Sequence, residues 1–452
     1  MGYMIKLTKE KDKIVGVFGL ARTGESVYRA LKDADTHAIC YDDSEKNREE
    51  FAKKHGNEDL IPITDEIWKK ARQIIISPGV PTTLPQPHPV VELARKLAIP
   101  FMGDIDILCL ERVDAQYIAI TGTNGKSTTT SLIHHILGKH AKKWDIGGNI
   151  GNAVLNMDHQ ASGYVLELSS YQIELLKDFK ANIAVLLNIT PDHLDRHGTI
   201  ENYTEVKKSL VKNAATSIIG IDNPITRMVF DELKSTHKLI PISTKEIIEN
   251  GVCVKDGKIY DRMDGVNKEY TLFPNKSLQG EHNFENIAAS FAVTKLYNID
   301  ADLIISQIGS FNGLPHRMQY LGSKLNIDFY NDSKATNAEA ASKSLGSLKN
   351  IYWLAGGIAK AGGIKSLLPL KANIKKAYLY GDAKYLFEQQ LKGVVPYQIF
   401  NSLEEAFMVA VEDAKLQNKP ANIVLAPACS SLDQFKDFEE RGCYFIELYD
   451  NL

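Results

Sequence analysis

Short apolar runs that stop at glycine or small polar residues recur along the whole chain, and helical stretches separate them. A run of four to eight β-branched or aromatic residues between turn formers is the pattern of a buried strand. On that pattern strands are predicted at 14–18, 36–41, 73–76, 117–120, 164–169, 183–190, 325–330, 351–355, 377–380, 423–426 and 444–448. Helices are predicted between them: one through Leu31, one beginning at Ser131, one beginning at Tyr203, an alanine-rich one after Asn286 and one after Asn337. Strands that alternate with helices build sheets covered by helices, so the fold class is α/β. A chain of 452 residues exceeds one core, and about 150 residues per domain suggests three. The pattern divides them at 1–111, 112–316 and 317–452.

Candidate chemistry sits where these strands end. After 117–120 comes Gly122-Thr123-Asn124-Gly125-Lys126-Ser127-Thr128, a strand–turn–helix phosphate cradle. Its glycines let successive N–H groups face one anion, and the helix N-terminus adds partial positive charge. Lys126 suits the β- and γ-phosphates and the Ser127 hydroxyl suits Mg²⁺. The first glycine of the general P-loop pattern is Ile120 here, so only the second half of that pattern is present. No guanine-reading motif accompanies the loop, which favours ATP. In the first segment Gly19-Leu-Ala-Arg22-Thr23-Gly24 is a version of the dinucleotide fingerprint, and Asp42-Asp43 ends the next strand where a Rossmann-like fold places its acidic residue. Ser77-Pro-Gly79 offers free N–H groups at a third strand end. Two cradles imply two nucleotides or one nucleotide and a nucleotide-linked substrate, and at this point NAD in the first remains open.

Glu167 lies on an otherwise apolar run, where an unpaired carboxylate is costly, so Mg²⁺ at the phosphate loop is its predicted partner. Gly147-Gly-Asn149-Ile-Gly151 is a glycine-rich loop, Ser169 follows Glu167 closely, and the run 183–190 ends in Pro191-Asp-His193-Leu-Asp-Arg-His197, a polar cluster with the composition of a site. Asn283 and Asn286 carry amides suited to an adenine edge. In the last segment Asp332, Ser333, Lys334 and Thr336 crowd a strand-to-helix turn, a setting for ribose, phosphate and carboxylate. The alternation there predicts a doubly wound α/β domain.

Composition narrows the partners. The net charge of -3 gives no reason to expect nucleic acid or an anionic membrane, and no apolar run approaches the ~18 residues of a span. Five scattered cysteines without a CxxC pair indicate neither a disulfide framework nor zinc, which suits a reducing cytosol. A cytoplasmic monomer acting on small polar or phosphorylated ligands is expected.

GTNGKS, ELSS, NITPDHLDRH, GEHNFENIAA and Gly313-Leu-Pro-His-Arg317, in that order, resemble the Mur ligase family. Members are ATP-dependent enzymes that phosphorylate a carboxylate on a UDP-linked peptidoglycan precursor and let an amine attack the acyl phosphate. The resemblance implies a central ATP-binding P-loop domain carrying this same shortened loop. It implies a first Mg²⁺ on Ser127 and Glu167, and a second on His193 and Lys207, the latter carbamoylated because it falls four residues after Tyr203. Asn286, Arg317 and Asp332 would contact the rest of ATP, with Asn149 and His193 facing the acyl acceptor.

NDSKATN, the loop with Lys360, and PACSSLDQFKDFEERG resemble the branch that adds D-glutamate to UDP-N-acetylmuramoyl-L-alanine. That likeness implies Thr336, Lys360, Ser431 and the backbone near Phe438 at the D-glutamate carboxylates. It implies a uridine-diphosphate pocket from Arg22, Thr23, Asp42, Asp43, Ser77 and Gly79, not an NAD site. A folylpolyglutamate synthetase-like ligase would lack the first segment, and an inactive nucleotide-binding regulator would be expected to have lost Lys126, Glu167 or His193.

Overall fold

The computed structural model describes the chain except residues 1–3, 11, 12, 140, 141, 266, 279, 281, 361, 418 and 419. Two compact units are present, residues 1–273 with 281–309, and 274–280 with 310–452. The sequence boundary near 111 falls inside the first unit, between two sheets.

The first sheet has the strand order His37–Tyr41, Ile14–Phe18, Gln73–Ile76, Phe101–Met102, all parallel. Strands buried on both faces need no alternation, which is why they read as continuous apolar runs. The second sheet has nine strands. Its parallel part is centred on Gln116–Thr121, flanked by Gly163–Glu167 and Ile183–Leu186. Its far edge is an antiparallel meander through Val252–Lys255, Lys258–Asp261 and Lys268–Thr271. One core joins the two sheets: Val15 and Val17 of the first share it with Ala119, Leu166 and Leu186 of the second.

The second unit is a six-stranded sheet, parallel except for the hairpin Gln319–Lys324 with Ile327–Asn331. In Ile351–Gly356 the alternation decides the faces: Ile351, Trp353 and Ala355 enter one core, Tyr352 and Leu354 the other.

Four predicted elements are corrected. Residues 444–448 are not a strand but part of the helix Phe438–Asp450. The Asp437 side chain caps the Glu440 N–H, and Phe445, Leu448 and Tyr449 share one core at helical spacing. The helix predicted from Ser131 starts at Lys126. Its threonines have modest helix propensity, and the phosphate loop supplies the start that propensity hides. The strand 183–190 ends at Leu186, because Leu187 to Thr190 turn aside to bond the phosphate loop. The run 325–330 begins only at Ile327: Leu325 and Asn326 take φ of 57° and 62° and form the hairpin turn, a role that leucine does not announce.

Candidate active site

The phosphate loop is held from below. Thr123 N–H donates to the Asn188 carbonyl at 2.8 Å, Asn124 N–H donates to Asn188 Oδ1 at 2.9 Å, and the Thr123 hydroxyl accepts Thr190 N–H at 3.0 Å. Gly125 takes φ 83°, and a Cβ there would stand 2.3 Å from Asn286 Oδ1, so both conformation and space demand glycine. Lys126 Nζ reaches back to the carbonyls of Gly122 and Thr123, each at 2.9 Å. Ser127 and Thr128 follow in the first helical turn, half-buried. Asn286 is buried beneath the loop, accepting from the Thr129 hydroxyl at 3.0 Å and donating to Asn283 Oδ1 at 3.0 Å. Glu281 of the same motif lies outside the described residues.

Register brings Glu167 opposite Ile120, at the root of this loop. The carboxylate is 1 % exposed; Oε1 accepts Asn149 Nδ2–H at 2.7 Å, while Oε2 is buried with no hydrogen-bond partner. A buried, unsatisfied carboxylate oxygen is costly, and a cation is the chemistry that would satisfy it. Among the described residues no group of three or more His, Cys, Asp or Glu is assembled for a metal. Of the four residues expected at metals, His193 and Lys207 line one cavity, Glu167 is buried at the root of the loop and Ser127 stands in the first turn of the helix behind it.

Lys207 is 1 % exposed, and its Nζ donates to Thr121 Oγ1 at 3.0 Å and to the Gly122 carbonyl at 3.1 Å. The same carbonyl receives Lys126, so two amines converge on one oxygen. Burial first, and the Lys126 charge second, push Lys207 down to about 7, against the pull of Asp192 and Glu167. Lys208 turns to Glu205 and Glu232 at 2.7 and 2.9 Å, so the helix Ile200–Lys212 offers Lys207 to the loop. His193 adopts φ 52° and is exposed, with Nδ1 3.1 Å from the Tyr171 hydroxyl.

A cavity of about 630 Å³ joins some of these groups to the first sheet; Ser127 and Glu167 are not among its lining residues. Lys126, Asn149, Ser169, His193 and Lys207 line it from the second sheet. Arg22, Thr23, Asp42, Asp43, Ser77 and Gly79 line it from the first. Not all of them present free polar groups. Asp42 accepts Leu20 N–H at 2.6 Å, Ser44 N–H at 2.8 Å and Asn47 Nδ2–H at 3.0 Å, which shapes the glycine turn. A Cβ on Gly24 would sit 1.7 Å from the Gly19 carbonyl, so that turn admits only glycine there. Arg22 donates to the carbonyls of Gly148, Asn149 and Gly151 at 3.0, 3.2 and 3.1 Å. The Ser77 hydroxyl donates to the Gly19 carbonyl at 2.8 Å, and Ser169 caps the helix Ser170–Leu175. His88 was not legible as a site residue. Its Nδ1 accepts Val90 N–H at 3.2 Å, leaving Nε2 to donate to Asp43 at 2.8 Å, and its ring packs 4.6 Å from Phe18.

Within the second unit, Asp332 is 5 % exposed, accepts Met318 N–H at 3.1 Å and the Ser344 hydroxyl, and is pushed up to about 7 by burial despite Arg317. Arg317 is exposed, as is Lys334, whose ammonium lies 5.2 Å from the Phe438 ring. Thr336 N–H donates to the Lys334 carbonyl at 2.8 Å. Lys360 follows the short strand Ile358–Ala359, which pairs with Cys429–Ser430 beside the buried Ser431. The residue that organises these loops was missed. Arg441, 0 % exposed, donates to Ser333 Oγ at 2.9 Å and to the carbonyls of Ser333 and Cys429 at 2.8 and 3.1 Å. It ties together loops that follow two neighbouring strands, Ile327–Asn331 and Ala421–Leu425. An arginine in a charged run reads as surface, and its partners are 108 and 12 residues away.

Comparison with known proteins gives the family. Residues 120–294 match the Mur ligase middle domain. The chain is 47% identical over 452 residues to the UDP-N-acetylmuramoylalanine–D-glutamate ligase of Rickettsia bellii, covering 99% of each chain. It is 40% identical over 456 residues to the protein of the same name from Rhizobium johnstonii, covering 98% of this chain and 96% of that one. Among solved structures, the UDP-N-acetylmuramate–alanine ligase of Thermotoga maritima superimposes with a TM-score of 0.57 at 17% identity, over 97% of this chain and 99% of that one. A UDP-N-acetylmuramoyl-L-alanyl-D-glutamate–2,6-diaminopimelate ligase gives 0.57 at 19% identity, over 84% and 93%, and both share the fold. With a strand-borne carboxylate and two lysines gathered at a shortened phosphate loop, and with identity that runs nearly end to end, this chain belongs to the Mur ligase family.

Proposed function

We propose that the protein is an ATP- and Mg²⁺-dependent ligase that joins D-glutamate to UDP-N-acetylmuramoyl-L-alanine through an acyl phosphate, giving ADP and phosphate. The observation that carries this reading is a cavity lined both by the diphosphate-type turns of the first sheet and by Lys126, Asn149, His193 and Lys207. The extent of identity to the D-glutamate ligases supports the choice of amino acid. The three sequence segments would bind the UDP-linked substrate, ATP and the amino acid in turn. A cytosolic location fits the cysteine content, and the protein is taken to act as a monomer.

Phosphorylating a carboxylate brings two anions together, so fixed cations must offset their repulsion. Lys126 would turn from the loop carbonyls to the triphosphate. Ser127 and Glu167 would hold one Mg²⁺, which supplies charge neutralisation and Lewis acidity, and the unsatisfied Glu167 Oε2 fits that duty. His193 and Lys207 would hold a second. A buried amine lowered to about 7 and facing another ammonium suits carbamoylation, amine plus CO₂ giving carbamate and a proton, which replaces a cation by an anion. Asn286, Arg317 and Asp332 are assigned to ATP. The D-glutamate carboxylates are assigned to Thr336, Lys360, Ser431 and the backbone at Phe438, with Lys334 close by.

Phosphate release from ATP, Mg²⁺ and UDP-N-acetylmuramoyl-L-alanine, compared with D-Glu, L-Glu, L-Ala and diaminopimelate, tests the proposal. Turnover with D-Glu alone is expected; turnover with L-Glu and none with D-Glu would overturn it.

A further inference from the structure

One ion pair beside the cavity, a buried Arg196 with a largely covered Glu174, has no part in the reaction outlined above. Arg196 is 6 % exposed and lies in the short helix Leu194–His197, whose N-cap residue is His193. Its Nε donates to Glu174 Oε2 at 3.1 Å, and its terminal nitrogens donate to the carbonyls of Val80 at 3.0 Å and Gly79 at 3.5 Å. Glu174, on the helix Ser170–Leu175, uses its other oxygen to accept the hydroxyls of Thr82 and Thr83. Two charged side chains of the second sheet's helices therefore grip a single turn of the first sheet, residues 77–83. Gly79 and Val80 line the cavity, whereas neither Arg196 nor Glu174 does. The guanidinium also lies 5.2 Å from the Tyr171 ring, whose hydroxyl is 3.1 Å from His193 Nδ1.

A buried ion pair roughly breaks even in stability against apolar packing, so its presence here calls for another reason. A guanidinium fork fixes direction as well as distance, which a lysine does not. We infer that Arg196 and Glu174 form a positioning pair that sets the diphosphate turn 77–83 in register with His193. The pair acts through the backbone of Gly79 and Val80 on one side and through Tyr171 on the other. The role rests on the ligase reading above.

The test compares Arg196→Lys, Glu174→Gln, His193→Ala and the Arg196→Lys/His193→Ala double variant in phosphate release, with thermal unfolding alongside. Arg196→Lys is expected to raise KM for the UDP-linked substrate and lower kcat, each by about tenfold or more, with KM for ATP within about twofold. The unfolding temperature should move by only a few degrees. In the His193→Ala background the kcat loss from Arg196→Lys should nearly vanish, because the arginine acts through that histidine. Should Arg196→Lys fail to fold, Glu174→Gln must show the same pattern, smaller. Wild-type kinetics in a folded Arg196→Lys, or full losses that multiply in the double variant, would overturn the pairing, as would variants that lose stability alone. A wild-type protein that does not turn over the mixture counts against the ligase reading only. The pair is then judged from amide exchange of residues 77–83, which Arg196→Lys should accelerate while the strands stay protected; an unchanged turn overturns it.

Discussion

Two amines on one carbonyl oxygen set the electrostatics of the site. Lys126 and Lys207 both donate to Gly122, and each is tolerable only if the other changes partner or charge. Lys126→Ala should cost ~3 to 4 kcal/mol of transition-state stabilisation, about 10²–10³ in kcat, read from steady-state phosphate release. At fixed pH, removing CO₂ from the buffer should lower the activity and bicarbonate should restore it, whereas Lys207→Met should be inactive under both conditions. An activity indifferent to CO₂ would count against the carbamate. Gly125→Ala places a methyl 2.3 Å from Asn286 Oδ1 at φ 83°, so a loss of about 1–3 kcal/mol in stability is expected by denaturant titration, with weaker ATP binding.

At the level of elements, the ends of strands and the starts of helices carry the chemistry. The helix Phe438–Asp450 is capped by Asp437 and brings Arg441 under the loops of the second unit. Removing that guanidinium takes a donor from four buried acceptors, Ser333 Oγ and the carbonyls of Ser333, Gly356 and Cys429, and a buried acceptor left unsatisfied costs roughly 1–3 kcal/mol. Arg441→Met should therefore lower the unfolding temperature of the second unit markedly and raise KM for D-glutamate more than KM for ATP, whose phosphate loop belongs to the first unit. The helix itself was misread at 444–448 because Tyr-Phe-Ile-Glu-Leu satisfies strand composition over five residues; its cap and its apolar positions at 445, 448 and 449 give the longer period away. The hairpin at 325–326 escaped for the opposite reason, since nothing in a leucine signals a left-handed turn.

For the whole molecule, burial of Asp332 predicts how stability depends on pH. Its carboxyl is raised from the usual 3.8 to about 7, so the folded state binds a proton that the unfolded chain releases. Stability from this group is fully present below about pH 4 and is lost as pH rises toward 7. Asp332→Asn should flatten that part of the denaturation-midpoint profile between pH 5 and about 7; a wild-type slope retained in the variant would refute the assignment. The joining of the first two sheets through one core also belongs to this scale. The element pattern places a boundary near 111, and across it Val15 and Val17 share a core with Ala119 and Leu166, a relation no local window contains.

Local pattern alone determined the α/β class, the phosphate loop, the carboxylate at Glu167 and the glycine turn at 19–24, because each depends on residues adjacent in the chain and on costs that are local. Glu167 was legible since a charge on an apolar strand needs a partner whatever the fold. Tertiary structure decided the rest. It turned Lys207, which the family resemblance had already singled out, into the loop and Lys208 to Glu205 and Glu232, assigned Asp42 to shaping its own turn, and buried Arg196 and Arg441, whose partners lie up to 117 and 108 residues away. Long-range pairing selects which lysine or arginine leaves solvent, and composition assigns all of them to the surface by default.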